Sequence, residues 1–414
     1  MDWRNQLRTK FLKLETWLES KNKIYPIVIF IAIASIGAHQ VKRVYRYSNG
    51  SSEVAGKYSE ADAVRSINAY HDLGFFTYYG LPVITYGKKG NPTAKDIGTN
   101  PENWRAYTHY PPGPNWINYW ISIPFGNENW VAFRWVALIV NLCMFSYCTF
   151  LLFGLFRPWK ATAITLIFIS ASMTYNMMHG IFYKGYSQSL LFLEITLVLK
   201  FLLDRKLNPR RLAALALIGF IQGWLSFDYA FVVSFAAIPM SIMTMGLTKA
   251  SLRRFILPMV LVSGAGFTAA HTLHLGQVVA YYGGVKNAYN DLKDAAIQRS
   301  TNKVNTVEMN PERLGKVYQT KQYLVKHSKR GLHFGISFIP LTLIVFAIWF
   351  LIDRYNFGNM YLGVFSALSI SLLWVWVMTQ HSAIHTEAIP RHLFLAYSTM
   401  IFSLFLNRSQ IAKT

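Results

Sequence analysis

The sequence predicts an all-α polytopic membrane protein with about ten transmembrane helices. Three observations support this fold class: long uncharged apolar runs, a hydrophobic content of 53%, and a charged content of only 14%. Because no water inside a bilayer can satisfy free backbone groups, a run of about 17 to 25 apolar residues is typical of a spanning helix. A transmembrane β-barrel would instead show alternating hydrophobicity.

Ten apolar runs divide the chain, and a polar segment precedes the first of them. Residues 1–23 mix basic with apolar side chains, which predicts an amphipathic helix on the cytoplasmic membrane surface. No small-residue cleavage pattern follows the first run, so we expect a retained helix and not a cleavable signal. Residues 24–414 then form the transmembrane domain. Its predicted spans are 24–41, 131–156, 161–178, 187–203, 212–226, 229–247, 255–275, 333–352, 360–379 and 392–406.

The short loops between these spans predict the orientation of the chain. Their Lys and Arg residues lie on the side shared with the basic N-terminus, and the positive-inside rule makes that side the cytoplasm. Two long loops, 42–130 and 276–332, are then extracytoplasmic, since long loops translocate largely regardless of charge. The formal charge of +22 is distributed among these loops and not over one soluble face, so we expect no nucleic-acid partner.

The first long loop opens with a predicted helix that carries two acids. Ser59 is placed to be its N-cap, Asp62 occupies the capping-box position, and Gly74 lies just past its end. Glu60 and Asp62 are roughly 200° apart around such a helix, so they point at different atoms. A carboxylate at a helix start suits a catalytic base or a group that holds a cation. The structural alternatives are a capping role for Asp62 and a solvated Glu60.

An aromatic, proline-rich segment, 104–116, ends the same loop. Its prolines fix φ and remove amide donors, which predicts a rigid, non-helical turn before the next span. One interpretation places Arg105 and His109 beside a phosphate, with the aromatic rings stacked on a sugar or a polyprenyl chain. The other is an aromatic belt at the membrane interface.

Three charged residues near the middle of the chain are further candidates. Lys184, between the third and fourth spans, either holds a lipid phosphate or extends to the head groups. Asp228, between the fifth and sixth spans, is a candidate for substrate binding. It would be costly against lipid and is expected to face protein or a polar cavity, as is Glu194 in the fourth span. A packing network is the alternative for both acids.

The last outer connection supplies two histidines and an arginine. His381 and His385 share one helix face at i, i+4 and could bind a metal, but Glu387 points elsewhere and leaves the set without a third ligand. We therefore predict no metal site and require no cofactor, although a divalent metal stays an option. Arg391 is a natural bidentate ligand for phosphate. Without a Gly-rich phosphate loop, the sequence does not support a nucleotide-driven reaction.

Four motifs follow one another in the first third of the chain: Ser59-Glu60-Ala61-Asp62-Ala63, Leu73-Gly74-Phe75, Gly80-Leu81-Pro82 and Tyr107-Thr108-His109-Tyr110-Pro111-Pro112-Gly113. Taken in order, they resemble the GT-C superfamily of membrane glycosyltransferases, especially the protein O-mannosyltransferase and aminoarabinose transferase relatives. For the rest of the chain the resemblance rests on topology alone. Relatives usually carry an acidic pair where this chain has Ser59-Glu60, and many have Lys where it has His109 and Tyr110 before the double proline.

The resemblance implies an enzyme that moves a sugar from a polyprenyl-phosphate donor to a lipid, glycan or protein acceptor on the extracytoplasmic face. By the resemblance Glu60 is the matching acid and would remove or polarise the proton of the acceptor hydroxyl, with Asp62 as a substitute acid. Arg391, Lys184, His109 or Arg105 would stabilise the leaving phosphate. We expect a bacterial inner membrane, with the endoplasmic reticulum as the alternative. The competing functions are a transporter or flippase of lipid-linked glycans and a non-enzymatic scaffold for envelope assembly.

Overall fold

The computed structural model describes residues 3–48, 57–86, 101, 104–127, 129–170, 178–181, 183–300, 347, 357–378 and 393–406. Within these ranges all regular secondary structure is helical, which confirms the predicted all-α class. Five of the described helices are long and apolar enough to cross a membrane, as expected for a membrane-embedded protein. They cover Tyr25–Arg46, Trp130–Leu155, Gly185–Asp204, Lys249–Tyr282 and Gly358–Val377.

Every predicted span that falls on described residues overlaps a helix. The span 333–352 lies outside the described residues apart from residue 347, and only five of the described helices are long and apolar enough to cross a membrane. The total of ten therefore stays a prediction. A one-turn helix, Lys249–Ser251, and a π-helical turn, Leu252–Ile256, lead into α11. The helices are α1 Trp3–Ser20, α2 Tyr25–Ser48, α3 Lys57–Leu73, α4 Gly113–Phe125, α5 Trp130–Leu155, α6 Pro158–Ser170, α7 Tyr183–Asp204, α8 Pro209–Leu225, α9 Ala230–Phe235, α10 Ala237–Met245, α11 Leu257–Tyr282, α12 Val285–Ser300, α13 Phe357–Val377 and α14 Phe394–Phe405.

The start of α3 corrects one prediction. The helix begins at Lys57, so Ser59 lies in its first turn and is not the N-cap, and Asp62 is one turn inside the helix instead of at a capping-box position. Ser59 does not cap the helix because Lys57 and Tyr58, which precede it, are already helical. The predicted end is confirmed, since Gly74 follows Leu73 with a φ of +93° that favours glycine.

Three further elements differ from the predicted pattern. The predicted span 229–247 contains two helical segments, α9 and α10, that meet at Ala236. The backbone at Ala236 stays helical, with φ −56° and ψ −30°, but Pro239 lacks the amide that would bond to the carbonyl one turn earlier. The predicted outer loop 276–332 begins as helix, since α11 continues to Tyr282 and α12 follows. The predicted turn 104–116 is non-helical only to Pro112, because Pro114 favours the first turn of α4.

The core of the bundle is built around α7. In the part of α7 that is long enough to cross a membrane, 78% of the residues are buried. Phe192 of α7 contacts Phe145 of α5 and Phe168 of α6, with ring centroids 5.4 Å and 4.2 Å apart. Phe394 and Phe402 of α14 complete the aromatic cluster. This central helix therefore packs against α5, α6 and α14 at the same time.

Glycines allow α8 and α11 to pack closely. Gly219 and Gly223 of α8 form a G-x-x-x-G pair, and a Cβ at either would collide with the backbone of α11. Gly266 of α11 likewise lies against the Ala216 carbonyl of α8. Small residues at such spacing permit backbone-to-backbone contact between membrane helices.

A methyl group added at Gly266 is expected to lower the free energy of unfolding by about 1–3 kcal/mol, because the backbones must separate to admit it. The measurement is thermal or denaturant unfolding of Gly266→Ala in detergent. Gly276→Ala on the same helix is the matched control, since a Cβ there meets nothing within 4 Å. It should be neutral, or slightly stabilising through helix propensity. Equal loss in both variants would contradict the close-packing explanation.

Candidate functional site

Glu60 points into the protein and pairs with a buried arginine. Arg134 of α5 donates from Nη2 to Glu60 Oε2 at 2.7 Å and from Nη1 to Oε1 at 3.0 Å. Both side chains are 0% exposed. This bidentate pair joins the first helix after α2 to the membrane bundle, and we call it the Glu60–Arg134 lock.

The lock is the centre of a wider hydrogen-bond network. Arg134 Nη1 also donates to the carbonyl of His179 at 3.2 Å, and the amide of Ile181 donates to Glu60 Oε1 at 3.3 Å. His179 Nδ1 lies 2.9 Å from Gln40 Oε1 on α2. Burial lowers the pKa of His179 to about 3, with further lowering from nearby arginine charge, so this ring is neutral. The network therefore connects α2, α3, α5 and the turn that contains residues 178–181.

The charge state of the lock follows from its partners. Burial raises the pKa of Glu60 above its ordinary value, while the charge and hydrogen bonds of Arg134 oppose that rise. A guanidinium stays protonated in proteins, so the Glu60 carboxylate is its counter-charge. A carboxylate held this way has both oxygens occupied and is suited to positioning α3.

Asp62 lies on a different side of α3, as the helical spacing predicts. Its side chain is 35% exposed, and Oδ1 is 3.8 Å from Arg65 Nη1. Burial raises the pKa of Asp62 to about 6, against a smaller lowering by Arg65. The two acids of α3 thus differ: Glu60 is paired and enclosed, whereas Asp62 is accessible and changes protonation near neutral pH.

The segment 104–112 is held against the end of α11 and against α12. Thr108 Oγ1 donates to Asp291 Oδ2 at 2.6 Å, and the Thr108 carbonyl lies 2.9 Å from His274 Nε2. His109 Nε2 is 3.4 Å from Asp291 Oδ1. Arg105 is exposed, and its amide donates to Thr85 Oγ1. His109 therefore has an acidic neighbour, while the guanidinium of Arg105 lies at the surface.

Asp228 faces protein, in agreement with the prediction from its position. It is 2% exposed and lies in the connection between α8 and α9. Tyr110 donates its hydroxyl to Asp228 Oδ1 at 3.3 Å, and the Tyr110 ring is 4.6 Å from that of Phe227. The segment 104–112 thus touches the same connection that carries Asp228.

Four of the predicted site residues cannot be placed by their side chains. His381, His385 and Arg391 lie outside the described residues, and Lys184 is described only as part of the first turn of α7. Among the residues that the structure describes, no three His, Cys, Asp or Glu side chains form a group that could hold a metal ion.

Arg134 was missed as a site residue by sequence reasoning. A signal was present, because a lone arginine inside the apolar run Trp130–Leu155 is costly unless it has a partner within the protein. Asp228 and Glu194 are expected to face protein or a polar cavity for the same physical reason. Glu60 could then have been considered as the partner of Arg134.

No protein-family model matches this sequence, and comparison with curated proteins and with solved structures also gives no match.

Proposed function

We propose that this chain is a membrane glycosyltransferase of the GT-C type that moves a sugar from a polyprenyl-phosphate donor to an acceptor hydroxyl. The supporting observation is the contrast between the two acids of α3. Glu60 is bound by Arg134 through both oxygens, whereas Asp62 is accessible with a pKa raised to about 6. Of the two acids, only Asp62 has a partly exposed carboxyl group that a substrate hydroxyl could reach, and reach of the proton is the first requirement of a general base.

In this proposal Asp62 is the catalytic base and Glu60 is a positioning residue. The acceptor oxygen forms a bond to the anomeric carbon while the bond from that carbon to the phosphate oxygen breaks. The acceptor proton goes to Asp62, and the leaving phosphate keeps the electron pair of the broken bond. A base with a pKa near the working pH is both ionised and able to take the proton.

Cations near the leaving phosphate would lower the barrier by matching its developing charge. Arg105, His109, Lys184 and Arg391 are the proposed contributors, with His381 and His385 as further substrate-binding residues. Asp228, buried beside Tyr110, is assigned the alternative role in a packing network. The scheme requires no metal or other cofactor. The proposed partners are the lipid-linked donor, a lipid, glycan or protein acceptor, and the surrounding membrane lipids, with the site on the extracytoplasmic face of a bacterial inner membrane.

The experiment begins with the polyprenyl lipid that co-purifies with the protein. Proteoliposomes then receive sugar-loaded polyprenyl phosphates and candidate acceptors, and mass spectrometry follows the product. We expect transfer whose rate rises through about pH 6 and levels off above it, because Asp62 must be ionised to accept a proton. A rate that falls over the same interval would contradict the role of Asp62, and no transfer with any donor would contradict the proposal itself.

One observation favours a transporter or flippase of lipid-linked glycans as the second candidate. Glu194, near the middle of α7, is 0% exposed and accepts a hydrogen bond from Ser263 of α11 at 2.8 Å. Ionisable groups inside spans often mark transport routes. The same proteoliposomes separate the two functions, because a flippase moves the donor across the bilayer without forming a new glycoside.

A further inference from the structure

Acidic side chains of α1 pair with basic residues where α5 meets α6. This is the opposite end of α5 from the Glu60–Arg134 lock. Glu15 Oε1 lies 3.1 Å from Lys160 Nζ and 3.8 Å from Arg157 Nη1, and Glu19 also pairs with Arg157. The Lys160 side chain is only 8% exposed. The acidic side of α1 is therefore turned toward the protein.

The opposite side of α1 is basic and apolar. Lys10, Lys13, Leu14 and Trp17 lie within one arc, centred roughly 170° from the two glutamates at 3.6 residues per turn. All four are exposed, Leu14 by 49% and Trp17 by 58%. Lysines beside exposed Trp and Leu are typical of a helix that lies in a membrane interface.

Two connections place this helix at the membrane boundary. α1 ends at Ser20, and α2, which is long and apolar enough to cross a membrane, begins at Tyr25. The four residues between them span at most roughly 14 Å. The ion pairs fix α1 to the turn that follows α5, another helix long enough to cross. Both attachments therefore lie where candidate membrane-crossing helices end.

We propose that α1 binds anionic phospholipid head groups through Lys10 and Lys13 while Leu14 and Trp17 enter the interface. Acidic side chains on the same surface would repel such lipids, and the pairing of Glu15 with Lys160 turns this acid away from them. At an uncharged lipid surface Leu14 and Trp17 can still enter the interface, but Lys10 and Lys13 have no anionic head groups to bind. This lipid-binding face is independent of any reaction at Asp62.

The test compares the full-length protein in nanodiscs of phosphatidylcholine with nanodiscs that also contain phosphatidylglycerol. Hydrogen exchange of residues 3–20 reports how firmly α1 is bound. We expect slower exchange in the anionic discs, and a smaller difference at high salt because exposed charges are screened. Neutralising one lysine should reduce the preference of α1 for anionic over uncharged discs about fivefold. The double variant K10Q/K13Q should therefore lose most of this preference.

Two exposed lysines of α12, Lys286 and Lys293, supply the matched control. K286Q/K293Q removes the same charge far from α1 and should keep the preference for the anionic discs. Equal exchange of α1 in both kinds of disc would overturn the proposal, whether α1 is protected in both or in neither. The proposal would also be overturned if K286Q/K293Q lost the preference for anionic discs as completely as K10Q/K13Q.

The glutamates give a second measurement that does not depend on the lysines. A variant with Glu15→Gln and Glu19→Gln keeps Lys10 and Lys13 but weakens the attachment to Arg157 and Lys160. We expect faster exchange of α1 in both kinds of disc, since the helix then keeps its lipid contacts and its connection to α2 but loses its ion pairs with the bundle. Unchanged exchange would contradict the role of these ion pairs in orienting α1.

Discussion

Replacing Arg134 with leucine is expected to lower the free energy of unfolding by about 3–5 kcal/mol, because the change leaves the Glu60 carboxylate buried without its counter-charge. The measurement is equilibrium unfolding in detergent. A double variant, Glu60→Leu with Arg134→Leu, should be less destabilised than the sum of the single changes, since no unpaired charge is left behind.

A partly exposed ion pair provides the control for this prediction. Arg211 Nη2 lies 2.7 Å from Asp204 Oδ2, and these side chains are 21% and 28% exposed. Arg211→Leu should lower the free energy of unfolding by less than about 1 kcal/mol, because solvent screens such a pair. If Arg134→Leu costs no more than Arg211→Leu, the Glu60–Arg134 lock does not stabilise the fold.

Replacing Asp62 with asparagine is expected to reduce the rate of sugar transfer by about 10²–10⁴-fold, the usual contribution of a general base. The measurement is the initial rate in proteoliposomes at pH 7. Asp72→Asn is the control on the same helix, because the amide oxygen can still accept the hydrogen bond of the Tyr86 hydroxyl. Full activity of Asp62→Asn would eliminate Asp62 as the base.

The same variant should lose activity without losing stability. Because burial raises the pKa of Asp62 to about 6, the folded state binds the proton more tightly than the unfolded chain. The contribution of Asp62 to stability is therefore greatest below its unfolded pKa and is lost as the pH rises through about 6. Asparagine avoids the cost of the buried charge, so unfolding at pH 7 should not occur earlier than in the parent.

The helices were predictable from sequence because their signal is local. An apolar run long enough to cross a bilayer needs no information from elsewhere in the chain, and α2, α5, α7 and α13 follow such runs closely. The boundary between α9 and α10 was not predicted because hydrophobicity continues through it, even though Pro239 removes one backbone hydrogen bond there.

The environment of the candidate site was not predictable in the same way. Spacing correctly separated Glu60 from Asp62, but it could not show which of them is enclosed. That outcome depends on Arg134, which lies 74 residues away in sequence. The links from Thr108 to Asp291 and from Tyr110 to Asp228 join still more distant residues. Such pairings require knowledge of helix packing, which no local pattern contains.

The separation between Glu60 and Arg134 also has a consequence for biogenesis. Ribosomes add about 5–20 residues per second, so a sequence separation of 74 residues takes several seconds to synthesise. With the predicted topology, Glu60 has already crossed the membrane when the segment carrying Arg134 leaves the ribosome. An arginine within a span is unfavourable, by about 2.5–3.5 kcal/mol at the centre of the span. Under the predicted topology, the Glu60 carboxylate would already be available as a partner when Arg134 reaches the membrane.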